Sequence, residues 1–174
     1  MIKDFNLLAT TSRGTEAKAC SELRFLLEEI GDVKAEVSRT GVSGLIAART
    51  TLNPVEVVKK FRSILLERSY VFRYTLRVIP IEKVVGTDLV EIELAATELG
   101  AKMGEKESFR ITVEKRFTGT PTQSIIEAAA SNIKRKVSLE KPDKILLIEV
   151  VGRLTGISLL NPDDVLSVMK EKLL

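Results

Sequence analysis

Apolar residues in this chain alternate in some stretches and recur at helical spacing in others, and the switches mark out its elements. Phe109, Ile111 and Val113 alternate with Arg110, Thr112 and Glu114, the period of two of a half-buried strand with a charged outer face. The turn Phe117-Thr118-Gly119 leads into a helix start. There Thr120 can cap, Pro121 suits the first helical position and Gln123 completes a capping box. Ile125, Ile126, Ala129, Ile133 and Val137 give that helix one apolar stripe. Lys134, Arg135 and Lys136 fall in its expected last turn, where cations suit the negative end of the helix dipole. Lys141-Pro142-Asp143 then turns the chain into Ile145 to Val151, an almost unbroken apolar run typical of a central strand. A last strand follows over Leu154 to Leu160, with Gly156 inside it.

The first half follows the same grammar. A short strand over Asn6 to Thr10 is followed by a helix from about Thr15 to Ile30, with Gly31 as the stop. Val33 to Arg39 and Leu45 to Arg49 read as strands joined by Gly41-Val42-Ser43-Gly44. Asn53 caps a second helix with Pro54 at its first position, and Tyr70 to Ile79 alternates as a further strand. Strand, helix, strand, strand, helix, strand is the ferredoxin-like βαββαβ order. The chain therefore predicts an α+β protein, with a ferredoxin-like domain over residues 1–80 and an α/β domain over residues 81–174. Residues 81 to 87 read as a connecting strand or a linker. Asp88 caps a helix running to about Met103, and Asn161-Pro162-Asp163-Asp164 starts a last helix that packs back on the core.

Composition narrows the chemistry. The 174 residues contain no histidine and one cysteine, Cys20, so histidine-based triads, histidine-ligated metals and multi-cysteine zinc sites are excluded. Cys20 falls on the apolar side of the first helix, where a free cysteine is core. No stretch approaches eighteen consecutive apolar residues and the N-terminus lacks a secretory signal's apolar segment, so a cytoplasmic protein is expected. Charge is uneven: residues 1–80 hold 13 Lys and Arg against 9 Asp and Glu, residues 81–105 hold 2 against 6, and residues 106–144 hold 9 against 5. The basic excess thus covers the strand-turn-helix stretch, where a phosphate backbone could be met. Solvated surface is the other explanation of such runs.

The ordered series FRITVEKR, the Gln123-Ser124-Ile125-Ile126 helix entry, Val137-Ser138-Leu139 before Lys141-Pro142-Asp143, and Ile148 to Ser158 resembles the THUMP domain, an RNA-binding module of tRNA-modifying proteins. A ferredoxin-like unit before such a domain is the arrangement of THUMP-containing tRNA-modification proteins. Most members carry a methyltransferase, thiolation or pseudouridine synthase domain after it, whereas this sequence stops at Leu174. The resemblance is thus strongest to stand-alone members, which assist a separate acetyltransferase in acetylating a tRNA cytidine.

No phosphate loop, dinucleotide loop, or nucleophile with a positioned base occurs, so a protein without cofactor or catalytic residues is expected. The candidate RNA contacts are Arg110, Lys115, Arg116, Thr118, Gly119, Thr120, Gln123, Ser124, Lys134, Arg135 and Lys136. They combine cations, hydroxyls and the free amides of a helix N-terminus, which suits phosphate. The scarcity of aromatic residues disfavours base stacking and favours recognition of shape and backbone. The resemblance implies that this surface receives the acceptor stem and single-stranded end of tRNA, with Arg13 helping to set the distance to the modified site, and that the partners are tRNA and an acetyltransferase. A ferredoxin-like regulatory or assembly protein that binds a small molecule or a protein, without RNA, is the alternative.

Overall fold

The first eighty residues form β1 (Leu7–Thr10), α1 (Glu16–Glu29), β2 (Glu36–Arg39), β3 (Leu45–Arg49), α2 (Pro54–Glu67) and β4 (Arg77–Pro80), in the predicted order. The structure is a computed structural model that describes residues 1–173. The chain divides into two compact units, one of Met1–Ile81 together with the segment from Asp164 onward, the other of Glu82–Asp163.

In the first unit β4, β1, β3 and β2 lie side by side, all antiparallel, which is the ferredoxin-like strand order. Leu7, Ala9, Ile46, Ala48 and Val78 of the strands join Leu23, Leu27, Val57 and Phe61 of the helices in one buried core. Cys20 belongs to it, and burial pushes its thiol up in pKa, as expected of packing rather than nucleophilic duty. The Asn53 carboxamide caps α2 by accepting from the amides of Val55 and Glu56. In the β2–β3 connection Gly44 has φ +76°, and a Cβ there would stand 2.8 Å from the Thr11 carbonyl oxygen.

The expected strand over Tyr70 to Ile79 is only partly realised. Ser69–Val71 forms a 3-10 turn and β4 begins at Arg77. The cause is Glu22 on α1, whose carboxylate accepts hydrogen bonds from the amides of Arg73 (2.6 Å), Tyr74 (3.1 Å) and Thr75 (2.7 Å). Three consecutive donors are thereby withdrawn from any sheet ladder. A second carboxylate, Asp32, is 2% exposed at the end of α1. It accepts from the Thr50 hydroxyl, the Thr51 hydroxyl (2.7 Å) and the Thr51 amide (2.8 Å), while Asn6 brackets Thr50 through its own carboxamide.

The second unit contains β5 (Lys83–Gly86), α3 (Leu89–Gly100), β6 (Ser108–Arg116), α4 (Thr122–Ala130), β7 (Lys136–Val137), β8 (Lys144–Val151) and β9 (Leu154–Leu160). Residues 83–86 are thus a strand rather than a linker. The sheet runs β5-β9-β8-β6-β7, with β6 parallel to both β8 and β7, and β9 antiparallel to β8 and β5. Both helices cover one face, where Ile92, Ala96, Leu99, Ile125 and Ala129 meet Leu146, Ile148, Val150 and Ile157. Every residue of β8 from Leu146 to Val151 is buried, the apolar ones as their pattern requires and Glu149 in spite of its charge. The α+β class stands: two sheets and five α-helices among the described residues.

β2 begins at Glu36 rather than Val33, and three boundaries in the second half of the chain also differ from the sequence expectation. Helix α4 stops at Ala130 instead of continuing to Val137, and Ile133 packs instead against Gly100, where a Cβ would meet it at 2.8 Å. Helix α3 ends at Gly100, with a turn to Met103. The segment after Asn161 is a 3-10 turn (Pro162–Asp164), a two-residue strand β10 (Leu166–Ser167) and a short helix α5 (Val168–Lys172). β10 pairs with β4 at the edge of the first sheet, and Leu166 and Val168 enter the first unit's core. The end of the chain therefore returns to the first unit, in place of the division at residues 80 and 81. Among the described residues no helix is long and apolar enough to cross a membrane.

Candidate nucleic-acid interface

Two parallel strands, β6 and β8, end together, with Arg116 opposite Val151. The loops beyond the carboxyl ends of parallel strands are where open α/β sheets bind ligands. Here that edge holds the turn Phe117 to Pro121, the start of α4 and the Gly152-Arg153 turn, which is tied in by the Gly152 amide donating to the Arg116 carbonyl at 2.8 Å.

Thr118, Gly119 and Thr120 form the middle of the turn. The Thr118 hydroxyl accepts from the Thr120 amide at 3.3 Å and donates to the Thr120 hydroxyl at 3.2 Å. Thr120 does not cap α4: Pro121 occupies the N-cap position and no side chain bonds the helix amides. The first helical bond runs from the Ile125 amide to the Pro121 carbonyl, so the amides of Thr122, Gln123 and Ser124 precede it, pointing out of the helix start. The expected capping box is absent because the Gln123 side chain reaches down the helix to Glu127, at 3.2 Å. At the helix start Gln123 offers its backbone amide alone. Lys115, exposed, extends over the turn and donates to the Thr120 carbonyl at 2.9 Å. Cation and helix N-terminus thus share one surface, both suited to an anionic oxygen.

Arg116 is brought to the same edge but points to the other face of the sheet. Its side chain is 17% exposed and bonds Glu149, which has no exposure at all, at 2.6 Å. The expectation of a surface arginine is corrected: this guanidinium braces the strand end beneath the turn. Arg153, exposed on the neighbouring turn, is the cation that sequence reading missed. Its only signal was its place after Gly152, between two expected strands.

The remaining predicted residues lie elsewhere. Arg110 sits six residues upstream on β6, roughly 20 Å along the strand, and donates to the Leu139 carbonyl at 2.8 Å. Arg135 donates to the carbonyls of Gly104 (2.9 Å) and Met103 (3.0 Å), closing the turn after α3. Lys134 and Lys136 are exposed beside it, outside any helix. At this amino end of β6 carboxylates offset the cations. Glu107 pairs with Lys144 at 3.1 Å, and Asp143 accepts from the Ser108 amide and hydroxyl, which hold its pKa below the usual range. Arg13 is exposed in the first unit, between β1 and α1. Among the described residues, no group of three or more Cys, Asp or Glu side chains is placed to hold a metal ion.

No family model matches the chain, and no curated protein does. Solved structures do. PH1313 from Pyrococcus horikoshii Ot3 superposes with a TM-score of 0.64 at 18% identity, over 90% of this chain and 55% of its own. TrmN from Thermus thermophilus gives 0.55 at 16%, over 88% and 44%. A 4-thiouridine synthetase, solved as an RNA complex with bound ATP, gives 0.53 at 16%, over 90% and 42%. The chain thus spans about half the length of these proteins or less. At such identities the likeness is one of fold, and it supports the THUMP-like fold implied by the sequence resemblance.

Proposed function

We propose that this protein binds tRNA through the carboxyl edge of β6 and β8 and presents it, without catalysis of its own, to a separate modification enzyme, the reaction being cytidine acetylation by an acetyltransferase. The observation that carries the reading is the joint position of Lys115, the Thr118–Thr120 turn and the uncapped amides of Thr122 to Ser124. A fold neighbour solved with RNA supports the ligand class. The single-stranded end of tRNA, with its accessible phosphates, is the part this edge would receive, and the work would be done in the cytoplasm.

Lys115 supplies the test. Its replacement by alanine is expected to lower the slope of log affinity against log salt by roughly 0.7–0.9, one phosphate contact. The loss should be alike across tRNA species, because phosphate contacts carry no sequence information. Filter binding at several salt concentrations measures both, and an unchanged slope places the contact elsewhere. Stability should move by no more than about half a kcal/mol, as for most exposed positions.

The adaptor role makes a separate prediction. Purified protein incubated with unmodified tRNA and acetyl, methyl or sulfur donors is expected to yield no modified nucleoside by mass spectrometry. A stoichiometric product without a second protein would refute it.

A further inference from the structure

Phe117 is the only non-glycine residue with a positive φ among the described residues, at +55°, and the residue is 77% exposed. Both features oppose folding. The left-handed conformation costs an L-residue roughly 1–2 kcal/mol, and an exposed phenyl ring contributes no burial. Strain of this kind concentrates at functional sites, and the inference runs from the outlier to a role. The ring stands on the turn between Lys115 and the start of α4, with Arg153 on the neighbouring turn. No other large exposed apolar side chain lies on that turn. Its neighbours along the chain are Lys115, Thr118 and Thr120, which carry a cation and hydroxyls.

We infer that Phe117 is a stacking platform for an unpaired RNA base, whose backbone phosphate meets Lys115 and the α4 amides. The inference rests on the RNA reading above and adds to it: shape and charge recognise the backbone, while this ring selects for a nucleotide whose base is free of the helix stack. Every base has a π face, so the contact favours single strands over duplex without preferring a sequence.

The test compares wild type with Phe117→Leu, Phe117→Gly and Phe117→Trp, using a short single-stranded RNA oligonucleotide and a blunt duplex of the same sequence. Leu keeps apolar bulk but has no π face. Both Leu and Gly are expected to weaken single-strand binding about 5- to 150-fold with an unchanged salt slope, whereas duplex binding stays the same. Trp is expected to retain affinity, its fluorescence quenched by the single strand. The Gly variant should melt no lower than wild type, because the strain is released. Leu binding single strands as tightly as wild type, with the salt slope and Lys115 dependence intact, overturns the stacking role alone. Wild type showing no salt-dependent RNA binding overturns the RNA reading, and this inference with it.

Discussion

Replacing Arg116 by alanine is expected to cost about 3–5 kcal/mol of folding stability, enough to unfold much of a marginally stable protein at 37 °C. The guanidinium is largely buried and Glu149 wholly so. Removing Arg116 takes the guanidinium away from a wholly buried carboxylate, and the desolvation already incurred is less fully offset. The paired change Arg116→Ala with Glu149→Gln removes the charge as well as its partner, so it should recover part of the loss. Urea denaturation of the two single variants and the double variant measures this. If the double variant is as unstable as both single losses added together, the two side chains are not coupled. A fall in RNA binding by Arg116→Ala would be an effect of unfolding, which circular dichroism separates from loss of a contact.

Asp32 carries the next largest effect. Asp32→Ala is expected to cost about 3 kcal/mol, because hydrogen bonds to a charged group are each worth roughly 1.5–3 kcal/mol and the donors of Thr50 and Thr51 are left without it. Its protonation has a definite sign. Burial pushes the Asp32 pKa up, but the hydroxyls of Thr50 and Thr51 and the amides of Thr51 and Lys34 together hold it below the ordinary value. The unfolded chain therefore takes up the proton first. The stability this group contributes is present above the ordinary carboxylate range, near pH 4, and is lost as pH falls through the lower, folded-state pKa. Comparing wild type with Asp32→Asn in urea between pH 7 and pH 3 isolates it, since the other carboxylates are common to both proteins. The stability gap should narrow as the solution becomes acid. A constant gap would show that the charge of Asp32 adds nothing.

What could be read from the sequence was local. Asn53 and Asp88 cap as expected because a cap involves donors two and three residues away. The apolar run of β8 set its burial, whereas β6 is half-buried on both faces from Arg110 to Val113. Misreadings came from contacts across long sequence separations. Glu22 takes the amides of residues 73–75 from fifty residues away, and nothing in the alternating pattern of Tyr70 to Ile79 announces it. Arg116 looks like any charged strand-end residue until Glu149, thirty-three residues later, is placed beside it. Arg135 looks like a phosphate cation until the Met103 and Gly104 carbonyls claim it. The candidate site was half legible for the same reason. The turn and helix start are contiguous in sequence, whereas the division of the basic residues between the two ends of β6 depends on where α4 stops.

The return of β10 to β4 also sets an order of events during synthesis. The four strands of the first unit are complete by Ile81, but β10, Leu166 and Val168 are made only after about eighty further residues. At translation rates of roughly 5–20 residues per second that delay is on the order of 4–16 s. Throughout it the outer edge of β4 presents unpaired amides and carbonyls, the kind of edge that recruits other strands. The nascent first unit is therefore most exposed to misassociation while the second unit is being made, and Leu166 to Val168 are the residues that close it.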